Sequence, residues 1–220
     1  MTDLHQTAVF GPATGLCECA AGTHAPKLVA ITGGPGAGKT AVLEIARRSL
    51  CSHVVVLPEA AGIIFGGGLP RGTSVPARRG AQRAIFHVQI ELERILLDEQ
   101  RVAIGLCDRG TVDSVAYWPE PVDDLWRDVH SDEATQLARY SAVIHLRTPS
   151  DVMGYDHSNP LRTERVDDAL HLDSLIEAAW AKHPNRHLVA SNLSFVHKAA
   201  HALELIRAEL PECCRGHIAT

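Results

Sequence analysis

Apolar residues in this chain fall into five short runs, separated by stretches of helical period. The run KLVAIT (27–32) is continuous rather than alternating and ends in glycines, as expected of a strand buried on both faces of a parallel sheet. HVVVLP (53–58), VAIGLCD (102–108), AVIHLRTP (142–149) and RHLVAS (186–191) repeat that signature. Between them, KTAVLEIARRSL (39–50) carries Val42, Leu43, Ile45, Ala46 and Leu50 at helical spacing. AQRAIFHVQIELERILLDEQ (81–100), ERVDDALHLDSLIEAAWAKH (164–183) and SFVHKAAHALELIRAEL (194–210) predict three more helices, the last stopped by Pro211. Residues 113–140 predict helical pieces broken at Pro119 and Pro121, and GGGLPRGTSVPARRG (66–80) predicts a mobile loop.

Strands alternating with helices predict a three-layer α/β fold on a parallel sheet, with ligands at the carboxyl ends of the strands. Residues 1–26 lack a clear period and read as a flexible leader; 27–210 read as one domain and 211–220 as a tail. At 220 residues the chain supports one sizeable core. A net charge of -5 gives no electrostatic footprint for nucleic acid or an anionic membrane. No apolar run reaches the ~20 residues of a membrane span, and the N-terminus lacks the marks of a secretory signal, so a cytoplasmic protein is expected. Oligomeric state has no signature here.

The six cysteines include Cys17-x-Cys19 and the adjacent pair Cys213 and Cys214. These spacings depart from the paired C-x2-4-C of zinc sites, so reduced thiols are expected even though His24 and His217 lie near. His197 and His201 are four apart on a helix but lack a third ligand in view, which favours a surface pair.

ITGGPGAGKT (31–40) sets Gly33, four residues, then Gly38, Lys39 and Thr40, between a predicted strand and a predicted helix. That is a phosphate-binding loop: Gly33, Gly34, Gly36, Ala37 and Gly38 turn backbone N–H groups inward at a helix N-terminus. Lys39 would meet the β- and γ-phosphates of ATP, and Thr40 would offer its hydroxyl to Mg2+. Asp108, at the tip of the third strand, would reach the Mg2+ shell; capping the next helix is its other reading. Arg109 would face substrate or phosphate. Glu59, ending the second strand, is the candidate base for an acceptor hydroxyl, with Asp108 the runner-up; an N-cap role for Glu59 stands equally open. Arg162 and Arg165 follow the fourth strand and read as lid arginines that neutralise a transferring phosphoryl group, with surface charge as the alternative. Gln82 and Phe86 could grip a flat polar base, although Phe86 also suits the core and Gln89 a solvated face. Arg71, Arg78 and Arg79 are either anion ligands or loop charge.

ITGGPGAGKT, PEAA, CDRGTVDSVAYWP and above all NPLRTE followed by ALHLDSLIEAAWAKHP resemble the AAA-labelled small predicted ATPases that are similar to ribosylnicotinamide-kinase-like P-loop proteins. The likeness runs from about residue 27 to 207. It implies the nucleoside and nucleotide kinase architecture, with sheet order 2-3-1-4-5, a helical lid after strand four, and adenine near HPNRHLVASN (183–192). The activity it implies is transfer of the γ-phosphoryl group from ATP-Mg2+ to a nucleoside- or nucleotide-like acceptor. The alternative is a hydrolytic or regulatory ATPase. Strand three ends Asp108-Arg109 rather than in paired acids, and no N-K-x-D for guanine is present, which argues against a motor and a GTPase.

Overall fold

The computed structural model describes residues 24–149, 166–191 and 194–215. Five parallel strands form one sheet in the order β2-β3-β1-β4-β5, as the resemblance implied. They are β1 (Lys27–Thr32), β2 (Val54–Leu57), β3 (Ile104–Asp108), β4 (Tyr140–Leu146) and β5 (Arg186–Val189). β1 lies in the middle, paired from Lys27↔Ile104 to Ile31↔Asp108 on one side and up to Thr32↔His145 on the other.

The unbroken apolar run of β1 is explained by two covered faces. Val29 and Ile31 pack into one core with Val42 and Ala46 of α1 (Lys39–Ser49) and with Ala202 and Ile206 of α8 (Phe195–Glu209). The alternate residues, Leu28 and Ala30, pack into a second core with Leu96 of α3 (Val75–Glu99), with Ile176 of α7 (Val166–Ala179) and with Trp180 just past its end. A period of two on a strand buried on both sides leaves no polar position between Leu28 and Ile31.

Two expectations need correction. The loop expected over 66–80 is helical from Val75 onward, after the short α2 (Ala60–Gly66). Ser74 caps the helix by accepting from the Ala77 amide at 3.4 Å, and Pro76 sits in its first turn, where it costs no intrahelical bond. Gln89, expected on a solvated face, is buried and donates to Glu93 Oε1 at 2.8 Å. Glu93 is wholly buried and also receives Tyr140 Oη at 2.6 Å and Arg139 Nε at 2.9 Å. This cluster ties α3 to β4 and, through Tyr140 Oη accepting from the Thr111 amide, to the turn after β3.

Past β3 the chain makes a 3-10 turn (Thr111–Asp113) and short helices α4 (Ser114–Tyr117), α5 (Val122–Asp128) and α6 (Glu133–Leu137), interrupted at the two prolines as predicted. A last helix, α9 (Glu212–Arg215), follows Pro211. Among the described residues, no helix is long and apolar enough to cross a membrane.

Candidate active site

The phosphate loop leaves the carboxyl end of the central strand. Gly33 has φ +131, and a Cβ there would stand 2.0 Å from the Leu146 carbonyl oxygen, so only glycine fits between β1 and β4. Gly36 and Gly38 also take positive φ, which brings the loop to the N-terminus of α1. Lys39 is buried, and its ammonium donates to the carbonyls of Gly33 and Gly34, each at 2.9 Å.

Residues far away in the chain hold the loop from behind. Asp173 of α7 accepts from the Gly34 amide at 2.6 Å, from the Thr148 amide at 3.2 Å, and pairs with His145 Nε2 at 3.0 Å. Burial opposes its charge, but His145 and the Gly34 amide prevail and hold its carboxyl below the usual range. Lys198 of α8 donates to Ala37 O at 2.8 Å and Arg147 O at 2.5 Å. Burial brings its ammonium down to about 8, against the pull of Asp173.

Asp108 and Arg109 stand beside the loop at the tip of β3. Asp108 is held above the usual carboxylate range by burial, which Lys39 and Arg109 only partly offset. Among the described residues its Oδ1 is buried without a hydrogen-bond partner. A buried, unpartnered carboxylate oxygen next to Lys39 and Thr40 suits a divalent cation. Asp108 does not cap the next turn; Gly110 occupies that position, with the Asp113 carboxylate accepting from the Gly110 amide at 3.1 Å.

Arg109 adopts φ 73, a left-handed conformation that costs a non-glycine residue roughly 1–2 kcal/mol. Its guanidinium is bonded through Nε to Glu59 Oε1 at 2.9 Å and through Nη1 to Gly33 O and Asp113 Oδ1, both at 3.3 Å. Burial opposes its charge, but Tyr117, Asp113, Glu59 and Asp108 outweigh it and keep it protonated. Arg109 thus commits Nε and Nη1 to the protein, tying Glu59 and Asp113 to the loop. Glu59 occupies the N-cap position of α2 but makes no side-chain cap bond; Arg109 holds it instead.

These residues line a cleft of about 920 Å³ that runs outward from the loop between α2 and α3. Gln82, Phe86, Phe65 and Tyr117 also line it. Phe86 is buried and packs with Trp118, Leu125 and Trp126 while lining the cleft. Arg71 lines the cleft and lies over the Phe65 ring, 4.2 Å from its centre. Arg78 bonds Tyr117 O, while Arg79 pairs with Glu120 and Asp128 away from the loop. Arg162 and Arg165 lie outside the described residues, as does Asn192 of the expected adenine segment.

Sequence reasoning missed Asp113, Asp173, His145, Lys198 and Trp180. Asp113 is 3% exposed and receives Thr32 Oγ1 at 2.5 Å and Trp180 Nε1 at 3.0 Å besides Arg109. A signal for Asp173 was present: it sits between Ala169 and Ile176 on the stripe that also holds Trp180, all buried. A carboxylate on the apolar face of an amphipathic helix needs a partner.

Burial, then Arg109, brings the Lys39 ammonium down to about 7 from 10.5, against the pull of Asp108, Asp113 and Glu59. Between these values the folded chain binds fewer protons at Lys39 than the unfolded chain, so this group makes stability rise with pH. A bound polyphosphate reverses the shift. ATP binding at about pH 8 is therefore expected to take up protons. Calorimetry in two buffers of different ionisation enthalpy reads this; identical heats would refute it.

The sheet order, the glycine cradle and the strand-tip acid define a P-loop NTPase fold of the nucleoside and nucleotide kinase architecture. Residues 28–195 match the family model described as AAA domain, and the chain belongs to that family. Among solved structures, a NadR protein in complex with NR superposes with TM-score 0.60 at 12% identity, over 85% of this chain and 52% of that one. This chain thus spans about half of that protein, and the likeness shows the fold. Altogether 205 solved chains match, so the fold by itself does not select an acceptor. No curated protein matches the sequence.

Proposed function

We propose that the protein is a kinase that transfers the γ-phosphoryl group of ATP-Mg2+ to a hydroxyl of a nucleoside- or nucleotide-like small molecule. The shape of the cleft carries this reading. About 920 Å³ falls within the 300–1,000 Å³ typical of small-molecule sites. The cleft continues from Lys39 and Thr40 to Phe65, Arg71, Gln82 and Phe86. Hydrolysis alone needs room for a water, not for an aromatic-lined extension beyond the phosphate loop. That a NadR protein of this fold holds NR supports a small-molecule acceptor.

In this reading the backbone of Gly33 to Thr40 and the Lys39 ammonium bind the phosphates of ATP. Thr40 and Asp108 hold Mg2+, which would neutralise charge on the β- and γ-phosphates. Glu59 takes the proton of the acceptor hydroxyl as its oxygen bonds to phosphorus and the bond to the β-phosphate oxygen breaks. Arg109 positions Glu59 through the 2.9 Å bond to Oε1. Gln82 and Phe86 hold the acceptor, and Arg162 and Arg165 serve as lid arginines.

The test is ADP formation against a panel of nucleosides, nucleotides, ribosylnicotinamide and alcohol-bearing antibiotics. Acceptor-dependent ADP is expected. One slow rate whatever is added would replace the kinase with the ATPase alternative. With the active acceptor, Glu59→Gln should lower kcat by about 10²–10⁴-fold with an unchanged unfolding midpoint. A wild-type rate in that variant would pass the base role to Asp108.

A further inference from the structure

A second cluster of chemistry-bearing side chains lies at the opposite end of the sheet from the phosphate loop. His24 precedes β1, His53 immediately precedes β2, and Cys214 belongs to α9. In a parallel sheet the amino ends of β1 and β2 share one edge, so this place is remote from the cleft at the carboxyl ends. None of the three residues lines that cleft.

The donor atoms converge. His24 Nε2 lies 3.3 Å from His53 Nδ1, and Cys214 Sγ lies 3.5 Å from His53 Nδ1 and 3.8 Å from His24 Nε2. A tetrahedral zinc ion with Zn–N of 2.0–2.1 Å and Zn–S of about 2.3 Å sets its nitrogens about 3.3 Å apart and nitrogen from sulfur about 3.6 Å apart. The three separations match the edges of that tetrahedron. They fit hydrogen bonding less well, because 3.3 Å exceeds the usual 2.7–3.2 Å of bonds donated by N–H. The two rings meet edge to face, with centres 4.5 Å apart, so they are not stacked.

Two of the three donors stand on fixed backbone. The His53 carbonyl accepts from the amides of Ala103 at 2.8 Å and Ile104 at 3.1 Å, which anchors it to the start of β3. The Cys214 amide donates to Pro211 O at 2.9 Å, and Arg215 Nε donates to Leu210 O at 2.8 Å, which fixes α9 against the end of α8. Cys214 is fully buried and both histidines are half-buried. A half-dry pocket with two imidazoles and one thiolate suits a borderline-soft divalent ion rather than Mg2+ or Ca2+.

We propose that His24 Nε2, His53 Nδ1 and Cys214 Sγ bind a Zn2+ ion, with solvent completing the tetrahedron, that clips α9 and the segment before β1 to the amino end of β2. Binding displaces the Cys214 thiol proton to solvent and leaves the other nitrogen of each imidazole to carry its hydrogen. The cysteine pairs looked wrong for zinc because each was weighed by its own spacing. The proposed ligands come from positions 24, 53 and 214, which only the fold brings together.

The experiment uses the full-length chain without an affinity tag, purified in the absence of chelator. Plasma mass spectrometry should find one zinc per chain. After removal of the metal with dipicolinate, titration with Co2+ alone should give a tetrahedral ligand-field band and a thiolate-to-cobalt charge-transfer band. Cys214→Ser should lose the charge-transfer band. His24→Ala and His53→Ala should each weaken Co2+ binding by more than the roughly 10–100-fold that loss of an outer-shell partner costs. Cys213→Ser, whose sulfur lies 3.8 Å from that of Cys214, is the control and should keep the metal. Lys39→Ala should also keep it, which separates this site from the phosphate site. A wild-type chain that gives only a weak octahedral cobalt spectrum, or no spectrum, overturns the proposal without reliance on any variant. Metal lost in Cys213→Ser but kept in Cys214→Ser overturns the assignment as well.

Discussion

Lys39→Ala is expected to lower acceptor-dependent ADP formation by about a thousandfold or more, because nothing else in the cradle supplies a cation between the β- and γ-phosphates. The neighbouring cation, Arg109, is committed to Glu59, Asp113 and Gly33 O and cannot replace it. Folding should suffer little. The ammonium is desolvated enough to lie at about 7, so the folded state gains little from its charge, and the change costs the Gly33 and Gly34 carbonyls one donor. The measurement is steady-state ADP release beside thermal unfolding of both proteins. Activity within tenfold of wild type would remove Lys39 from the phosphate site. A collapse of the unfolding midpoint would make its role structural.

Trp180→Ala is expected to be the most destabilising single change in the α7 face, by about 3–5 kcal/mol. Domains of this kind hold only ~5–15 kcal/mol in total. Trp180 is fully buried, meets Tyr140 edge to face at 5.2 Å, and approaches Gly110 so closely that a Cβ there would lie 2.7 Å from the indole. Its Nε1 donates to Asp113 Oδ2, the carboxylate that also holds Thr32 and Arg109. Trp180→Phe separates the two contributions. It keeps most of the packing and deletes the donor, for an expected loss of about 1–3 kcal/mol. Urea unfolding of the three proteins gives the comparison. Equal stability of Trp180→Phe and wild type would mean that Asp113 does not depend on the indole.

The sheet was legible in the sequence because the inner strands β1, β3 and β4 are buried on both sides and leave nearly unbroken apolar runs. The phosphate loop was legible because its glycines, lysine and threonine sit at fixed spacing. What failed to show has a common cause. Asp113, Asp173 and Glu93 are carboxylates with partners tens of residues away (Thr32 and Trp180, Gly34 and His145, Arg139 and Tyr140), and long-range hydrogen bonds leave no period. The first turns of α3 were hidden because Arg78 and Arg79 bond Tyr117 O, Glu120 and Asp128, so a helical face there is polar rather than apolar. Glu59 was ambiguous because its place in the chain is that of a helix cap, whereas its carboxylate belongs to Arg109. The segment ALHLDSLIEAAWAKHP, which together with the preceding NPLRTE carried the family resemblance most specifically, supplies Asp173, Trp180 and His183, each bonded to the loop, the strand-three turn or β4.

The central place of β1 also orders how the molecule opens. β1 is laddered to neighbours on both sides, whereas β2 and β5 each have one strand neighbour among the described residues. Sub-global openings that release an edge strand leave β1 closed, so its amide protons should exchange with solvent last, at the rate of whole-molecule unfolding. The phosphate loop hangs from that slowest-opening strand, and its shape survives fluctuations that release either margin of the sheet.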